Sequence, residues 1–191
     1  MNLIKNILIF LSVIFVMVIL YGIGNINFYR SVYPKKYEDI VNEVSIKYNL
    51  KPQLIYAVIK TESNFDPNAK SSAGAVGLMQ ITGDTFSWLQ SITKENIDAM
   101  YLYDPYININ YGAMFLSMLR EKYYSDEVML SAYNAGMTPV ERWLKDENLS
   151  LLGEQLNYIP YKETRNYVKK VIKSQEMYER LYFKNNFWRL T

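Results

Sequence analysis

The residue that the sequence singles out for chemistry is Glu62. It follows Ile55, Val58 and Ile59 at helical spacing, so its side chain points toward the apolar face of the predicted helix. It also lies in the last turn of that helix, where the helix dipole disfavours negative charge. Partial burial and the dipole both raise a carboxyl pKa, and a Glu with a pKa of ~6 can act as a general acid. The alternative is that Glu62 merely borders the domain and bends back to water, and position alone favours neither.

The amino-acid composition excludes most other kinds of catalytic residue. The 191 residues include no Cys and no His, which excludes thiol nucleophiles, Ser-His triads and metal sites built on thiolate or imidazole. Proton transfer is left to carboxylates, Lys and Tyr, and we expect neither a metal nor another cofactor. The formal charge of only +2 argues against nucleic acid as a partner.

Helical periodicity dominates the chain after about residue 37, and no alternating strand of useful length occurs. One predicted helix begins at Pro52, which suits a first turn, and ends near Ser63-Asn64, before a loop over 64–78. The other expected elements are a helix along the stripe from Tyr37 to Tyr48, a helix over 82–91, one capped by Asp104 before Pro105, one from Ser125 to Gly136, and a long last helix from Pro160. The pattern predicts an all-α fold.

The N-terminal segment resembles a membrane span. Residues Ile7 to Ile23 are almost wholly apolar and would extend about 26 Å as a helix, close to a ~30 Å hydrocarbon core. A cleaved signal peptide is the main alternative, although only Gly22-Ile23-Gly24 offers small residues at cleavage-site spacing, and a buried core helix is a further one. We expect a retained single-pass anchor over 1–23, a juxtamembrane linker over 24–36, a domain over 37–183 and a tail over 184–191. With Lys5 cytoplasmic, the domain would lie on the extracytoplasmic side.

Four sequence blocks, in order, resemble the soluble-lytic-transglycosylase (SLT) family of enzymes that cleave peptidoglycan. Together they extend over residues 38 to about 180. The blocks are ESNFDPNA from Glu62 followed by SAGAVGLMQI from Ser72, DPYINI from Asp104 followed by Gly112, AYNAG from Ala132, and IPYKETRNYV from Ile159.

The resemblance implies a lysozyme-like α fold with a glycan-binding cleft and makes Glu62 the catalytic acid and later base. Beyond Glu62, it implies that the substrate is bound by Ser63, Met79, Gln80, Tyr133, Asn134 and Glu163, with Glu163 as a cleft or supporting residue. One departure lies beside these residues: Thr82-Gly83 stand where the family commonly has Met-Pro, which removes an apolar contact that could flank a sugar.

The resemblance further implies cleavage of the β-1,4 bond between N-acetylmuramic acid and N-acetylglucosamine without water, leaving 1,6-anhydromuramyl ends. A single strong carboxylate fits this reaction, because hydrolysing glycosidases usually need two. A lysozyme-like hydrolase on the same fold and a non-catalytic wall tether are the alternatives. The expected partners are glycan strands and, through the N-terminal helix, the membrane. Proteins of cell-wall or secretion machinery are further candidate partners.

Overall fold

The computed structural model describes residues 2–183, so the tail expected over 184–191 lies outside the described residues. Eight α-helices follow in order, with a 3₁₀-helix over Ala99–Tyr103 and a π-helical turn over Glu179–Phe183. The α-helices are α1 (Asn2–Val32), α2 (Glu38–Lys47), α3 (Pro52–Ser63), α4 (Gly83–Thr93), α5 (Pro105–Lys122), α6 (Asp126–Ala135), α7 (Met137–Lys145) and α8 (Lys162–Tyr178). The all-α prediction is confirmed.

A two-residue hairpin between α7 and α8 is the one sheet among the described residues. Strand β1 (Ser150–Leu151) pairs antiparallel with β2 (Gln155–Leu156). The sequence analysis did not predict it, because two residues per strand leave no alternation to detect.

The N-terminal helix is longer than the predicted anchor. α1 continues to Val32, so most of the segment that we expected to be a linker over 24–36 is helical. The region Lys5–Val32 is long and apolar enough to cross a membrane, and none of its most apolar window is buried against the domain. Near its end, however, Ile26 is buried, and α1 packs against the π-helical turn Glu179–Phe183. This packing stabilises helix across Gly24 and the Asn residues near it, which have low helix propensity.

Helix α3 is the centre of the core, because each residue from Gln53 to Ile59 is buried. α8 packs along it, and α6 packs against α8 and α5. The predicted helix ends are confirmed where capping chemistry is strong. Pro52 occupies the first turn of α3, and the Asp104 carboxylate accepts a hydrogen bond from the Ile107 N–H at 3.0 Å at the start of α5.

Tyrosines of the C-terminal elements hold the end of α1. The Tyr178 hydroxyl donates to the Pro34 carbonyl at 3.0 Å, and the Tyr182 hydroxyl donates to the Tyr33 carbonyl at 2.8 Å. The rings of Tyr178 and Tyr182 stack with centroids 6.0 Å apart, and Arg30 lies 5.7 Å from the Tyr182 ring centre. The domain is therefore joined to α1 by a packed contact as well as by the chain.

Candidate active site

Glu62 occupies the last turn of α3, where the chain turns sharply away from the helix. Asn64 and Phe65 both adopt left-handed backbone angles, with φ of 51° and 66°. The buried Phe65 ring packs beside Tyr56 with ring centres 6.4 Å apart, which anchors the turn in the core. Glu62 itself is partly buried. Of the two positions that the sequence left open for Glu62, the structure has the one on the apolar side of its helix.

The environment of Glu62 raises its pKa from 4.5 to about 7. Burial is the main cause, because it removes water that would solvate the carboxylate. The nearby negative charge of Glu163 raises the pKa further, and the Tyr167 hydroxyl lowers it in part. With a pKa of about 7, about half of the Glu62 carboxyls are protonated at neutral pH, against about one in 300 at the ordinary value.

Two tyrosines from different helices flank the carboxyl group. Tyr167 belongs to α8 and Tyr133 to α6, and the pKa values of both phenols are raised by burial and by the charge of Glu62. The buried Tyr167 hydroxyl forms no hydrogen bond of normal geometry with another described group. It lies close enough to Glu62 to lower the pKa of the carboxyl group. The Tyr133 hydroxyl donates to the Met79 carbonyl at 2.9 Å.

The loop after α3 is fixed to the helices by one buried side chain, Asn108 of α5. Its amide nitrogen donates to the carbonyls of Val76 at 2.9 Å and Leu102 at 2.7 Å, and its amide oxygen accepts from the Met79 N–H at 2.7 Å. Gly77 makes this approach possible, because a Cβ there would lie 2.2 Å from the Asn108 amide nitrogen. Asn108 therefore holds the loop beside Glu62 in place.

Ser63 and Gln80, both predicted to serve the cleft, make hydrogen bonds to the backbone of this loop. The Ser63 hydroxyl donates to the Leu78 carbonyl at 2.8 Å. The Gln80 amide nitrogen donates to the carbonyls of Ala69 at 3.1 Å and Gly77 at 2.9 Å, from a residue with φ of 51°. The donors of both side chains thus support the wall of the site, and a direct substrate contact by either remains a prediction.

Met79 corrects the predicted site. Its side chain is fully buried and packs against Gly112 of α5, where an added Cβ would lie 2.4 Å from the Met79 sulfur. A side chain in the core cannot touch a glycan, so the expectation of a substrate contact by this side chain is wrong. Met79 contributes through its backbone, which links Asn108 to Tyr133.

Asn134 and Glu163 lie on the two helices that face Glu62. The Asn134 amide oxygen accepts a hydrogen bond from the buried Thr164 hydroxyl at 2.8 Å, which fixes the amide plane. Glu163 is exposed, and its charge acts on Glu62. The structure thus brings the predicted residues Glu62, Tyr133, Asn134 and Glu163 to the meeting point of α3, α6 and α8.

Three residues of the site had no role in the sequence analysis, namely Asn108, Thr164 and Tyr167. Each lies inside a motif block, so the blocks marked the positions but not the contacts. Tyr167 follows Glu163 by four residues and therefore shares its helix face, which is the one signal that could have found it. Among residues 2–183, no cluster of three or more acidic side chains is arranged to hold a metal ion.

Comparison with known proteins gives a consistent set of matches. The profile of the transglycosylase SLT domain family matches residues 39–150. The membrane-bound lytic murein transglycosylase C of Glaesserella parasuis is 32% identical over 170 residues, which cover 75% of this chain and 46% of that protein. A putative soluble lytic murein transglycosylase of Haemophilus influenzae is 34% identical over 160 residues, covering 80% of this chain and 26% of that protein. The chain therefore spans less than half the length of these relatives.

Solved structures share the fold. The 70 kDa soluble lytic transglycosylase of Escherichia coli is 25% identical with a TM-score of 0.72, covering 84% of this chain and 28% of that one. A 70 kDa soluble lytic transglycosylase in complex with bulgecin A is 26% identical with a TM-score of 0.73, covering 82% and 26%. The lytic transglycosylase Slt of Pseudomonas aeruginosa, solved as an inactive variant with glutamine in place of one glutamate, is 28% identical with a TM-score of 0.67, covering 77% and 24%.

Proposed function

Because this chain belongs to the transglycosylase SLT domain family, we propose that it is a membrane-anchored lytic transglycosylase that cleaves the glycan strands of peptidoglycan. The bond cut is the β-1,4 linkage between N-acetylmuramic acid and N-acetylglucosamine, and the product is a 1,6-anhydromuramyl end. The observation that carries the proposal is Glu62, a carboxyl group with a pKa of about 7 flanked by the buried Tyr167 and the partly buried Tyr133.

In the first step, protonated Glu62 donates its proton to the glycosidic oxygen as the bond to C1 breaks. A pKa near the working pH suits this role, because the acid is both populated and ready to give up its proton. The sugar's own acetamido oxygen stabilises the positive charge at C1. In the second step, the Glu62 carboxylate takes the proton of the C6 hydroxyl group while the C6 oxygen forms a bond to C1. The catalyst returns to its starting form, and no water is consumed.

The other site residues would position the muramic acid ring. Asn134, whose amide is oriented by Thr164, would present a polar group to the ring. Tyr133 is fixed by its hydrogen bond to the Met79 carbonyl and lies close enough to feel the charge of Glu62, so it would help to orient the ring and exclude water from C1. Glu163 is exposed, and its charge supports the acid form of Glu62 rather than supplying a buried nucleophile.

Product mass tests this reaction. The full-length chain in an uncharged detergent is incubated with purified peptidoglycan beside Glu62→Gln, and released muropeptides are weighed by mass spectrometry. We expect products one water lighter than hydrolytic ones from the native chain and none from the variant. Fully hydrated reducing ends would instead identify a hydrolase, and binding without release would identify a wall tether. Cleavage that survives in Glu62→Gln would overturn the role of this residue.

The anchor is a separate part of the proposal. α1 supplies the span, since its apolar window is exposed and the relatives include proteins named as membrane-bound. The chain has no Cys, so a single introduced Cys reports its own location. We expect Tyr124→Cys, at a residue 94% exposed on the domain, to react with a membrane-impermeant maleimide in intact cells, and Lys5→Cys to react only after lysis. Labelling of the Lys5→Cys chain in intact cells would show that the orientation is the reverse of the one proposed. Release of the native chain from membranes by carbonate washing would contradict the proposed anchor.

A further inference from the structure

A second concave site lies on the flank of the α3–α8 pair, next to the end of α1. It is a shallow pocket of about 270 Å³, and Glu62 is not among the residues that line it. The lining residues are Tyr33, Lys60, Thr61, Lys170, Lys173 and Ser174. The pocket therefore brings together three lysines from two helices that are far apart in sequence.

The charge of this pocket is uncompensated. None of its lining residues is acidic, and neither Lys60, Lys170 nor Lys173 forms an ion pair within residues 2–183. The surrounding helix α8 carries five basic and two acidic side chains, whereas the whole chain has a formal charge of only +2. Positive charge is thus concentrated here beyond what composition requires, and nearby like charges repel one another in the absence of an anion.

The pocket is also partly preorganised. The Lys60 ammonium group donates to the Asn64 amide oxygen and lies 5.7 Å from the centre of the Tyr33 ring, so it is held in place. Burial lowers the pKa of Lys60, which is the behaviour of a cation that lacks a counter-charge. Ser174 is 8% exposed, and its hydroxyl makes no hydrogen bond to another described group, so it is available as a donor in the pocket.

We propose that this pocket binds a phosphate group. Three lysines and a serine from two helices line one pocket, and this set of donors suits a compact tetrahedral anion with several acceptor oxygens. A planar carboxylate is better matched by the fork of an arginine, and no arginine lines the pocket. Either a phospholipid headgroup or a soluble phosphate compound outside the membrane can supply this chemistry.

Calorimetric titration of the full-length chain with inorganic phosphate, in an uncharged detergent at constant ionic strength, tests the site. The variant Lys170→Gln/Lys173→Gln removes two of the three charges, and we expect it to bind phosphate at least tenfold more weakly. The matched control Lys162→Gln/Lys169→Gln removes the same charge from exposed positions of the same helix outside the pocket, and we expect it to bind like the native chain. Absence of phosphate binding to the native chain, or equal weakening in both variants, would overturn the proposal.

The source of the phosphate is distinguished in lipid nanodiscs. If a headgroup occupies the pocket, discs of phosphatidylglycerol will suppress binding of inorganic phosphate relative to discs of phosphatidylcholine, and the pocket variant will abolish the difference. If the ligand is soluble, phosphate will bind equally in both discs. Peptidoglycan cleavage is measured in parallel and is expected to be unchanged in both double variants. The phosphate site and the proposed reaction are therefore tested independently of each other.

Discussion

Replacing Glu62 by Gln should make the domain more stable at alkaline pH while abolishing its activity. The buried carboxylate is unfavourable because its pKa is raised from 4.5 to about 7, mainly by loss of solvation. At 1.36 kcal/mol for each pKa unit, this rise corresponds to about 3 kcal/mol of destabilisation when the group is charged in the folded state. Glutamine has nearly the same shape and no charge, so it should recover most of that free energy.

The pH dependence follows from the direction of the shift. Between pH 4.5 and 7 the folded chain binds more protons at Glu62 than the unfolded chain, so this residue's contribution to stability falls as the pH rises through that window. Below pH 4.5 both states are protonated and the substitution should change little. Above pH 7 the carboxylate is charged in both states, and the full difference of about 3 kcal/mol should appear.

Thermal unfolding of the full-length chain in uncharged detergent, followed by near-UV circular dichroism, measures the difference. For a domain of this size about 3 kcal/mol corresponds to roughly 6–12 °C in Tm, so Glu62→Gln should melt higher than the native chain by that amount at pH 8 and by almost nothing at pH 4. Glu163→Gln, at an exposed position, is the matched control and should show no comparable gain. A gain of equal size at both pH values, or no gain at pH 8, would refute the desolvation of Glu62.

Three further outcomes are expected from the same site. The kcat/KM for muropeptide release should fall tenfold per pH unit above about pH 7, as Glu62 loses its proton. Because the Tyr167 hydroxyl lowers the Glu62 pKa, Tyr167→Phe should move this fall to higher pH. An unchanged pH profile in Tyr167→Phe would contradict the contact between the two side chains. Asn108→Ala removes three hydrogen bonds to buried backbone groups and should cost about 3 kcal/mol in chemical unfolding, whereas a cost below about 1 kcal/mol would mean that water replaces the amide. Gly112→Ala places a Cβ 2.4 Å from a buried sulfur and should cost about 1–3 kcal/mol, while Gly83→Ala, with no atom within 4 Å, should be neutral or slightly stabilising.

Local chemistry made parts of the fold predictable. The bounds of α3 followed from Pro52 at its start and from the loop-like residues after Ser63-Asn64, and the start of α5 followed from Asp104 and Pro105. The facing direction of Glu62 followed from periodicity on α3. These features depend on residues close together in sequence, so they can be predicted from the sequence alone.

Long-range contacts decided the rest. α1 extends through the expected linker because Ile26 is buried where α1 meets a turn more than 150 residues later, which no local pattern records. The last helix begins at Lys162 rather than Pro160, since Ile159 and Pro160 carry the carbonyls that Arg165 binds. Met79 was expected to contact substrate because its neighbours form the motif, yet the close approach at Gly112 draws its side chain into the core.

The packed contact between α1 and the C-terminal elements has a consequence for reach. Tyr178 meets Pro34 and Tyr182 meets Tyr33, so the C-terminal end of α8 and the turn after it are fixed against the residues that follow α1. From Tyr178 back to Glu163 the helix rises about 22 Å at 1.5 Å per residue, and Glu62 lies at that far end. The position of Glu62 relative to α1 is therefore fixed by packed helices rather than by a flexible linker. If α1 spans a membrane as proposed, these contacts limit how far Glu62 can move relative to the lipid surface.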